Sequence, residues 1–300
     1  MLAELQALDV RGKLAFDEPM MAYNTWGVGG RAQCVFQPAD MADLQSFFKQ
    51  YDGALPFFWM GLGSNVLIPD EGLSGVVVVS HPGLQKISYE EGYSVYVEAG
   101  VACSKLARNS VKHGLQGVEF MAGIPGTVGG ALAMNAGAFG GCTWEHVQSL
   151  EVITRAGEVQ QRPADEFKVS YRSVETAADE WFVAAHFQLS PAKEDEESVS
   201  IRELLAKRND SQPIGEKNCG SVFKNPPGLF AAKMIEECGL KGLKIGGAEI
   251  SPKHANFITN TGNASATDIT QLMSTVMSTV KKQYGIELEP EVRLLGGMEW

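Results

Sequence analysis

The sequence predicts helices and strands in mixed order, arranged as two or three domains, and three observations carry that reading. The chain has 300 residues, more than one hydrophobic core usually serves. Its apolar residues follow a period of two in some segments and the helical period in others. Its glycines gather into clusters within residues 24–31, 61–67 and 123–137, which punctuate those segments.

Taken in order, Leu2, Leu5 and Leu8 stand at helical spacing and predict a short docking helix with Gly12 at its C-terminal cap. Residues 32–37 read as a strand. Residues 40–50 read as a helix, with Asp40 as N-cap and Met41, Leu44, Phe47 and Phe48 on one face. Phe57-Phe58-Trp59-Met60 reads as a buried strand and residues 76–79 as another. Residues 94–98 alternate as a strand, and 102–112 form a helix with Leu106 inward and Gly114 at its cap. A hairpin is expected over 150–154 and 158–161 around Ala156-Gly157, and a further strand over 181–189.

The acidic run Lys193-Glu194-Asp195-Glu196-Glu197-Ser198 reads as a solvated linker and marks a domain boundary. Helices follow over 199–207 and 229–238, the second capped by Gly239, and 254–258 reads as a strand. The longest helix, 267–284, carries Ile269, Leu272, Met273, Val276 and Val280 on one stripe, with Gly285 after it. Methionines in such a stripe are core residues rather than cofactor contacts.

Composition narrows the function classes. A hydrophobic fraction of 44% and a charged fraction of 20% are those of a soluble globular protein with a real core. No apolar run approaches the roughly 18 residues a membrane span needs. The N-terminus lacks the basic segment and continuous apolar core of a signal peptide, since Glu4 and Asp9 interrupt its leucines. Cys34, Cys103, Cys142, Cys219 and Cys238 are scattered with no Cys-x-x-Cys pair, so reduced thiols in the cytoplasm are expected, with no zinc site. A formal net charge of −11 argues against general nucleic-acid binding, which rests on phosphate neutralisation. An anionic ligand therefore needs locally placed cations.

The stretch Gly123-Ile124-Pro125-Gly126-Thr127-Val128-Gly129-Gly130 offers mainly backbone. Glycine lets another molecule approach the N–H groups closely, and small Ala131 and Ala133 suit the first turn of a following helix, an arrangement fit for a phosphate. A packed turn would show the same glycines. Gly61-Leu62-Gly63-Ser64-Asn65-Val66-Leu67 follows a strand-like run but lacks the third glycine of the dinucleotide fingerprint, and a strand comes after it rather than a helix. No Gly-x-x-x-x-Gly-Lys-Ser/Thr occurs, which excludes a P-loop nucleotidase. Together with Gly29-Gly30, these loops suggest one large nucleotide held between two small domains.

Six motifs now stand in order: Asn24-Thr25-Trp26-x-Val28-Gly29-Gly30, the loop from Gly61 to Leu67, the loop from Gly123 through Asn135-Ala136-Gly137, Tyr171-Arg172-Ser173, Gly220-Ser221-Val222-Phe223-Lys224-Asn225-Pro226, and Pro290-Glu291-Val292-Arg293. From residue 24 to 296 the chain resembles the UDP-N-acetylmuramate dehydrogenase family, flavoenzymes that make UDP-N-acetylmuramate for peptidoglycan. The resemblance implies an α+β fold, with a two-part FAD-binding module of the vanillyl-alcohol-oxidase type and an α+β substrate-binding domain. The implied spans are 1–80 and 81–195 for the FAD-binding parts, 199–289 for the substrate domain, and 290–300 for a C-terminal strand carrying Glu291. The short interval between Tyr171 and Ser221 resembles the branch lacking an extra substrate-covering loop.

By the same resemblance, Gly61, Gly63, Ser64, Asn65 and Val66 with Gly123, Ile124, Pro125, Gly126, Thr127, Gly129 and Gly130 cradle the pyrophosphate of noncovalent FAD, and Asn135 and Gly137 lie near the flavin. The implied reaction has NADPH reduce FAD, which then passes hydride to the β-carbon of UDP-N-acetylglucosamine enolpyruvate. The developing negative charge calls for a fixed guanidinium, matched by Arg172. The α-carbon needs a proton, for which Ser221 is the matching donor, and Glu291 matches a second group that polarises the carboxylate. Asn225, Lys224, Arg208 and Lys253 are the candidate substrate contacts, with His254 a weaker one for the diphosphate. Phe139 stands where many relatives have a tyrosine and cannot donate that hydrogen bond. Neither nucleic acid nor membrane is an expected partner, and a monomer is expected. Another flavin oxidase of the same superfamily, or a non-catalytic nucleotide-binding protein, would share the glycine loops, but the first has no need of Ser221 and Glu291 together.

Overall fold

The computed structural model describes residues 2–192 and 201–297, so the acidic run at 193–198 lies outside the described residues. The chain forms two compact units, one of Met1–Ala15, Cys34–Leu62 and Gly75–Ala206, the other of Phe16–Gln33, Gly63–Ser74 and Lys207–Trp300.

In the first unit a five-stranded sheet runs in the order Val159–Pro163, Val147–Thr154, Glu180–Gln188, Ser94–Glu98, Ile87–Tyr89, with every neighbouring pair antiparallel. The expected hairpin forms around Gly157, whose N–H donates to the Thr154 carbonyl at 2.9 Å. Inward residues Val95, Val97, Leu150, Val152, Ala185 and Phe187 share a core with Leu106 of helix Cys103–Lys112 and with Val128 and Leu132 of helix Val128–Ala133. Alternation along these strands therefore buries one face against helices. Elsewhere in the unit, strand Phe57–Met60 pairs in parallel with Leu73–Val79 from Phe57 opposite Val76. Helix Met41–Gln50 stacks Phe47 on Phe36 at 4.3 Å between ring centroids. Asp40 is its N-cap as expected, accepting from the Asp43 N–H.

One terminal expectation is corrected. The first helix spans Leu2–Gln6, and Gly12 is not its cap. A Cβ at Gly12 would lie 2.1 Å from the Gln37 carbonyl oxygen, and its N–H donates to Asp43 Oδ2 at 2.9 Å. Close backbone approach, not a helix end, requires glycine there.

The second unit is built on helix Ala266–Tyr284, whose start is fixed by a capping box between Ser265 and Asp268 and whose end is Gly285 in the left-handed region. Its buried stripe Ile269, Leu272, Met273, Val276 and Val280 is the one periodicity predicts, so the methionine there is core. A three-stranded antiparallel sheet runs in the order Lys244–Ile245, Ala248–Ile250, Ile258–Asn260. The predicted strand at 254–258 is therefore corrected: the chain turns at 254–257, where the Phe257 N–H donates to the His254 carbonyl at 3.0 Å, and the strand begins at Ile258.

Residues 16–33 and 63–74 belong to this unit because Trp26, Val28 and Leu67 are buried in the same core as Phe223, Ile235 and Leu272. Trp26 is fully buried, and its indole N–H donates to the Ile258 carbonyl at 2.7 Å. Trp26→Ala is expected to cost about 3–5 kcal/mol of stability, read as a lowered urea midpoint for the indole-poor variant against the parent protein.

Candidate active site

In the first unit the candidate residues converge through two loops. A Cβ at Gly61 would sit 2.2 Å from Thr127 Oγ1, so only glycine lets the 61–62 backbone reach the loop before helix Val128–Ala133. Thr127 caps that helix, its hydroxyl accepting from the Gly130 N–H at 3.4 Å. The glycines of this loop divide by role. Gly129 packs on Ala99, with its N–H donating to the Ala99 carbonyl at 2.9 Å. Gly123 lies under the Phe139 ring. Gly130 instead has only Thr127 Oγ1, at 3.8 Å, near the place of a Cβ. The close approach of Gly61 to Thr127 brings the two loops together, and the open backbone at Gly130 beside them fits a pyrophosphate. Ile124, Pro125 and Gly126 complete the turn, the Gly126 carbonyl accepting from the Cys103 N–H at 2.9 Å.

Arg172 stands beside Asn135 and Gly137. It occupies the second corner of a tight hairpin in which Ser170 pairs with Ser173, and its φ of 55° lies in the left-handed region. A non-glycine residue there costs roughly 1–2 kcal/mol. Asn135, at φ 39°, and Phe139, at φ 54°, share this conformation, and such strain concentrates at functional sites. The Arg172 guanidinium donates to the Gly137 carbonyl from Nη2 at 2.9 Å and to the Asn135 carbonyl from Nη1 at 3.5 Å. Asn135 is itself tied by the Trp144 N–H, which donates to its Oδ1 at 3.2 Å. Tyr171 is 56% exposed, with the Arg172 guanidinium carbon 5.4 Å from its ring centroid. Phe139 is also exposed.

The second unit carries the other candidates on adjacent backbones. The Glu291 N–H donates to the Val222 carbonyl at 2.7 Å, and the Lys224 N–H to the Glu289 carbonyl at 2.8 Å. Phe223 bridges Pro290 in antiparallel fashion. Ser221 and Glu291, separated by seventy residues of sequence, thus stand one step apart across a strand-like pair. Both are half-buried. Glu291 precedes strand Arg293–Leu294, which pairs in parallel with Val66–Leu67.

That pairing gives Asn65 a contact the sequence does not announce, its Nδ2 donating to the Glu291 carbonyl at 3.2 Å. The backbone of the Gly63-Ser64-Asn65-Val66 loop is thereby joined to the carboxylate-bearing segment. Burial first, and the nearby Glu291 second, push the Cys219 thiol well above its ordinary range, so it remains protonated beside the site.

Of the candidate substrate contacts, Arg208 is half-buried, and burial lowers its pKa. Its Nε donates to Gln212 Oε1 at 2.9 Å. Lys224 pairs with Glu289, and Lys253 donates to the Asn209 carbonyl. The Asn225 side-chain oxygen accepts from the Ala231 N–H at 3.0 Å and so tethers the start of helix Ala231–Glu237. Burial lowers the His254 pKa and so favours the neutral ring, and its Nδ1 accepts from the Asn256 N–H at 3.3 Å.

A Cβ at Gly29 would meet Ile68 at 2.8 Å, and one at Gly30 the Asp70 carbonyl oxygen at 2.2 Å. Asn24 ties this turn together, donating to the Met20 and Val28 carbonyls at 2.8 and 2.9 Å. Close backbone approach therefore requires glycine at both positions. Asn256 was not singled out by sequence reasoning, although a polar residue amid Ala255, Phe257 and Ile258 was a usable signal.

Comparison with known proteins accords with this geometry. Residues 32–161 match an FAD binding domain, and residues 212–295 match the UDP-N-acetylenolpyruvoylglucosamine reductase C-terminal domain. A UDP-N-acetylenolpyruvoylglucosamine reductase of Alkalilimnicola ehrlichii is 48% identical over 285 residues, 95% of each chain. One from Coxiella burnetii is 47% identical over 306 residues, 96% of this chain and 97% of that protein. The crystal structure of the Thermus caldophilus reductase superposes with a TM-score of 0.80 at 30% identity, covering 95% of this chain and 99% of that one. The likeness covers nearly the whole chain, and the chain belongs to the UDP-N-acetylenolpyruvoylglucosamine reductase family.

Proposed function

We infer that the chain is an FAD-dependent oxidoreductase that reduces the enolpyruvyl group of UDP-N-acetylglucosamine enolpyruvate to lactyl with NADPH. The product is UDP-N-acetylmuramate for peptidoglycan, and so for cell wall growth, shape and division. The observation that carries the reading is the pairing of residues 222–224 with 289–291, which sets Ser221 and Glu291 on neighbouring backbones. An oxidase of alcohols or sugars has no use for that pair.

When bound, FAD relays a hydride from NADPH to the substrate β-carbon. The residues proposed to hold it are Gly61, Gly63, Ser64, Asn65 and Val66, the loop Gly123, Ile124, Pro125, Gly126, Thr127, Gly129 and Gly130, and Asn135 and Gly137. The Gly61–Thr127 approach supports this assignment. Arg172 stabilises the charge that builds on the substrate α-carbon and carboxylate, a role supported by a guanidinium already oriented by two carbonyls. Ser221 delivers the proton to the α-carbon, closing the balance of one hydride and one proton across the double bond, and regains a proton from solvent. Glu291 polarises the carboxylate. Arg208, Lys253, Lys224 and Asn225 contact the nucleotide diphosphate and its surroundings; the half-buried guanidinium of Arg208 is the best supported of these.

By this reading residues 1–80 and 81–195 serve the cofactor, while 199–289 and 290–300 serve the substrate. A monomer is the oligomeric state proposed. No helix among the described residues is long and apolar enough to cross a membrane, and five free cysteines suit the cytoplasm.

The test is anaerobic. NADPH is expected to bleach the yellow holoenzyme, and UDP-N-acetylglucosamine enolpyruvate to restore its colour with formation of UDP-N-acetylmuramate. Bleaching without restoration would leave a flavoprotein of another specificity.

A further inference from the structure

We propose that Asn256 is a positioning residue that sets the register of Ser221 against Glu291, an inference resting on the function proposed above. The side chain is 4% exposed and reads the backbone of Phe223 at both ends. The Phe223 N–H donates to Asn256 Oδ1 at 3.0 Å, and Asn256 Nδ2 donates to the Phe223 carbonyl at 2.8 Å. The Asn256 main-chain carbonyl takes the Val222 N–H at 2.9 Å. On the opposite rim of the same short segment, the Val222 carbonyl accepts from the Glu291 N–H at 2.7 Å.

Residues 222–223 are thus clamped from two sides, and Ser221 is the residue that leaves the clamp. Before it stands Gly220 at φ 84°, a turn that imposes no side-chain restraint of its own. Pairing with 289–291 involves very few residues, and so short a ladder specifies register weakly. A buried amide satisfied at both ends supplies the missing specification. An alanine would leave the N–H and C=O of Phe223, itself 2% exposed, to find partners by shifting the chain. That shift moves the Ser221 hydroxyl relative to Glu291.

The experiment is rapid mixing of FAD-loaded variants, with rates expressed per bound flavin. Asn256→Ala is expected to slow substrate-driven recolouring about 10- to 100-fold, the cost of misplacing a reacting group by around an ångström. Bleaching by NADPH should proceed at the parent rate. Asn256→Asp keeps the volume and the acceptor for the Phe223 N–H but loses the donor, so it should fall between parent and alanine. Val280→Ala, a core change in helix Ala266–Tyr284, controls for lost stability and should recolour normally. Because Asn256 acts through Ser221, the double variant Ser221→Ala/Asn256→Ala should be no slower than Ser221→Ala alone.

Recolouring at the parent rate in both Asn256 variants overturns the proposal, as does equal slowing of both half-reactions or full additivity in the double variant. A parent enzyme that bleaches but is never recoloured overturns the functional reading, and this role with it.

Discussion

Arg172→Ala is expected to slow substrate-driven recolouring of the flavin by about 10²–10³-fold, the usual cost of removing a preorganised donor from a developing oxyanion. The Arg172 guanidinium is held by the carbonyls of Gly137 and Asn135, and its planar fork matches the geometry of a carboxylate. Its orientation is set before substrate arrives, and the left-handed backbone at this residue is the conformational cost of that placement. Lysine offers a point charge without the fork, so Arg172→Lys should recover only a small part of the loss. NADPH-driven bleaching is expected to stay within about twofold of the parent rate, since the arginine acts on charge that develops only during substrate reduction. Single-turnover stopped-flow absorbance separates the two steps, and a recolouring rate left intact in Arg172→Ala would remove the arginine from the chemistry.

Ser221→Ala is expected to slow the same step by about 10²–10⁴-fold, the range that general acid catalysis supplies. A serine is a weak acid, and its donation becomes favourable only toward a strongly basic α-carbon, the centre made by hydride addition at the β-carbon. Loss of the hydroxyl leaves protonation to solvent. The variant should consequently bind substrate with little change and lose rate rather than affinity, which single-turnover concentration series distinguish. A raised dissociation constant with an unchanged limiting rate would assign Ser221 to binding alone.

These expectations rest on contacts of very different sequence reach, and that difference separates what was readable from what was not. Helix Ala266–Tyr284 was legible because a long apolar stripe and a terminal glycine lie within one window. The hairpin around Gly157 was legible for the same reason. Gly12 was misread because its requirement comes from the Gln37 carbonyl on another strand. Residues 254–258 were misread because His254 and Asn256 spend their polar groups on a turn and on Phe223, a demand no periodicity carries.

By itself the sequence determined the helices and hairpins that short-range periodicity and capping specify, together with the motifs whose order marks the family. Local chemistry is enough for these, since each depends on residues a few positions apart. The tertiary structure alone decided that Gly29 approaches Ile68 and Gly30 approaches Asp70, that Gly61 meets Thr127, and that Ser221 and Glu291 stand on neighbouring backbones. It also decided the partners of the asparagines. Asn65 reaches Glu291 across 226 positions and Asn256 reaches Phe223 across 33. An asparagine amide accepts almost any backbone partner, so its choice is fixed only when folding brings one within 3 Å or so.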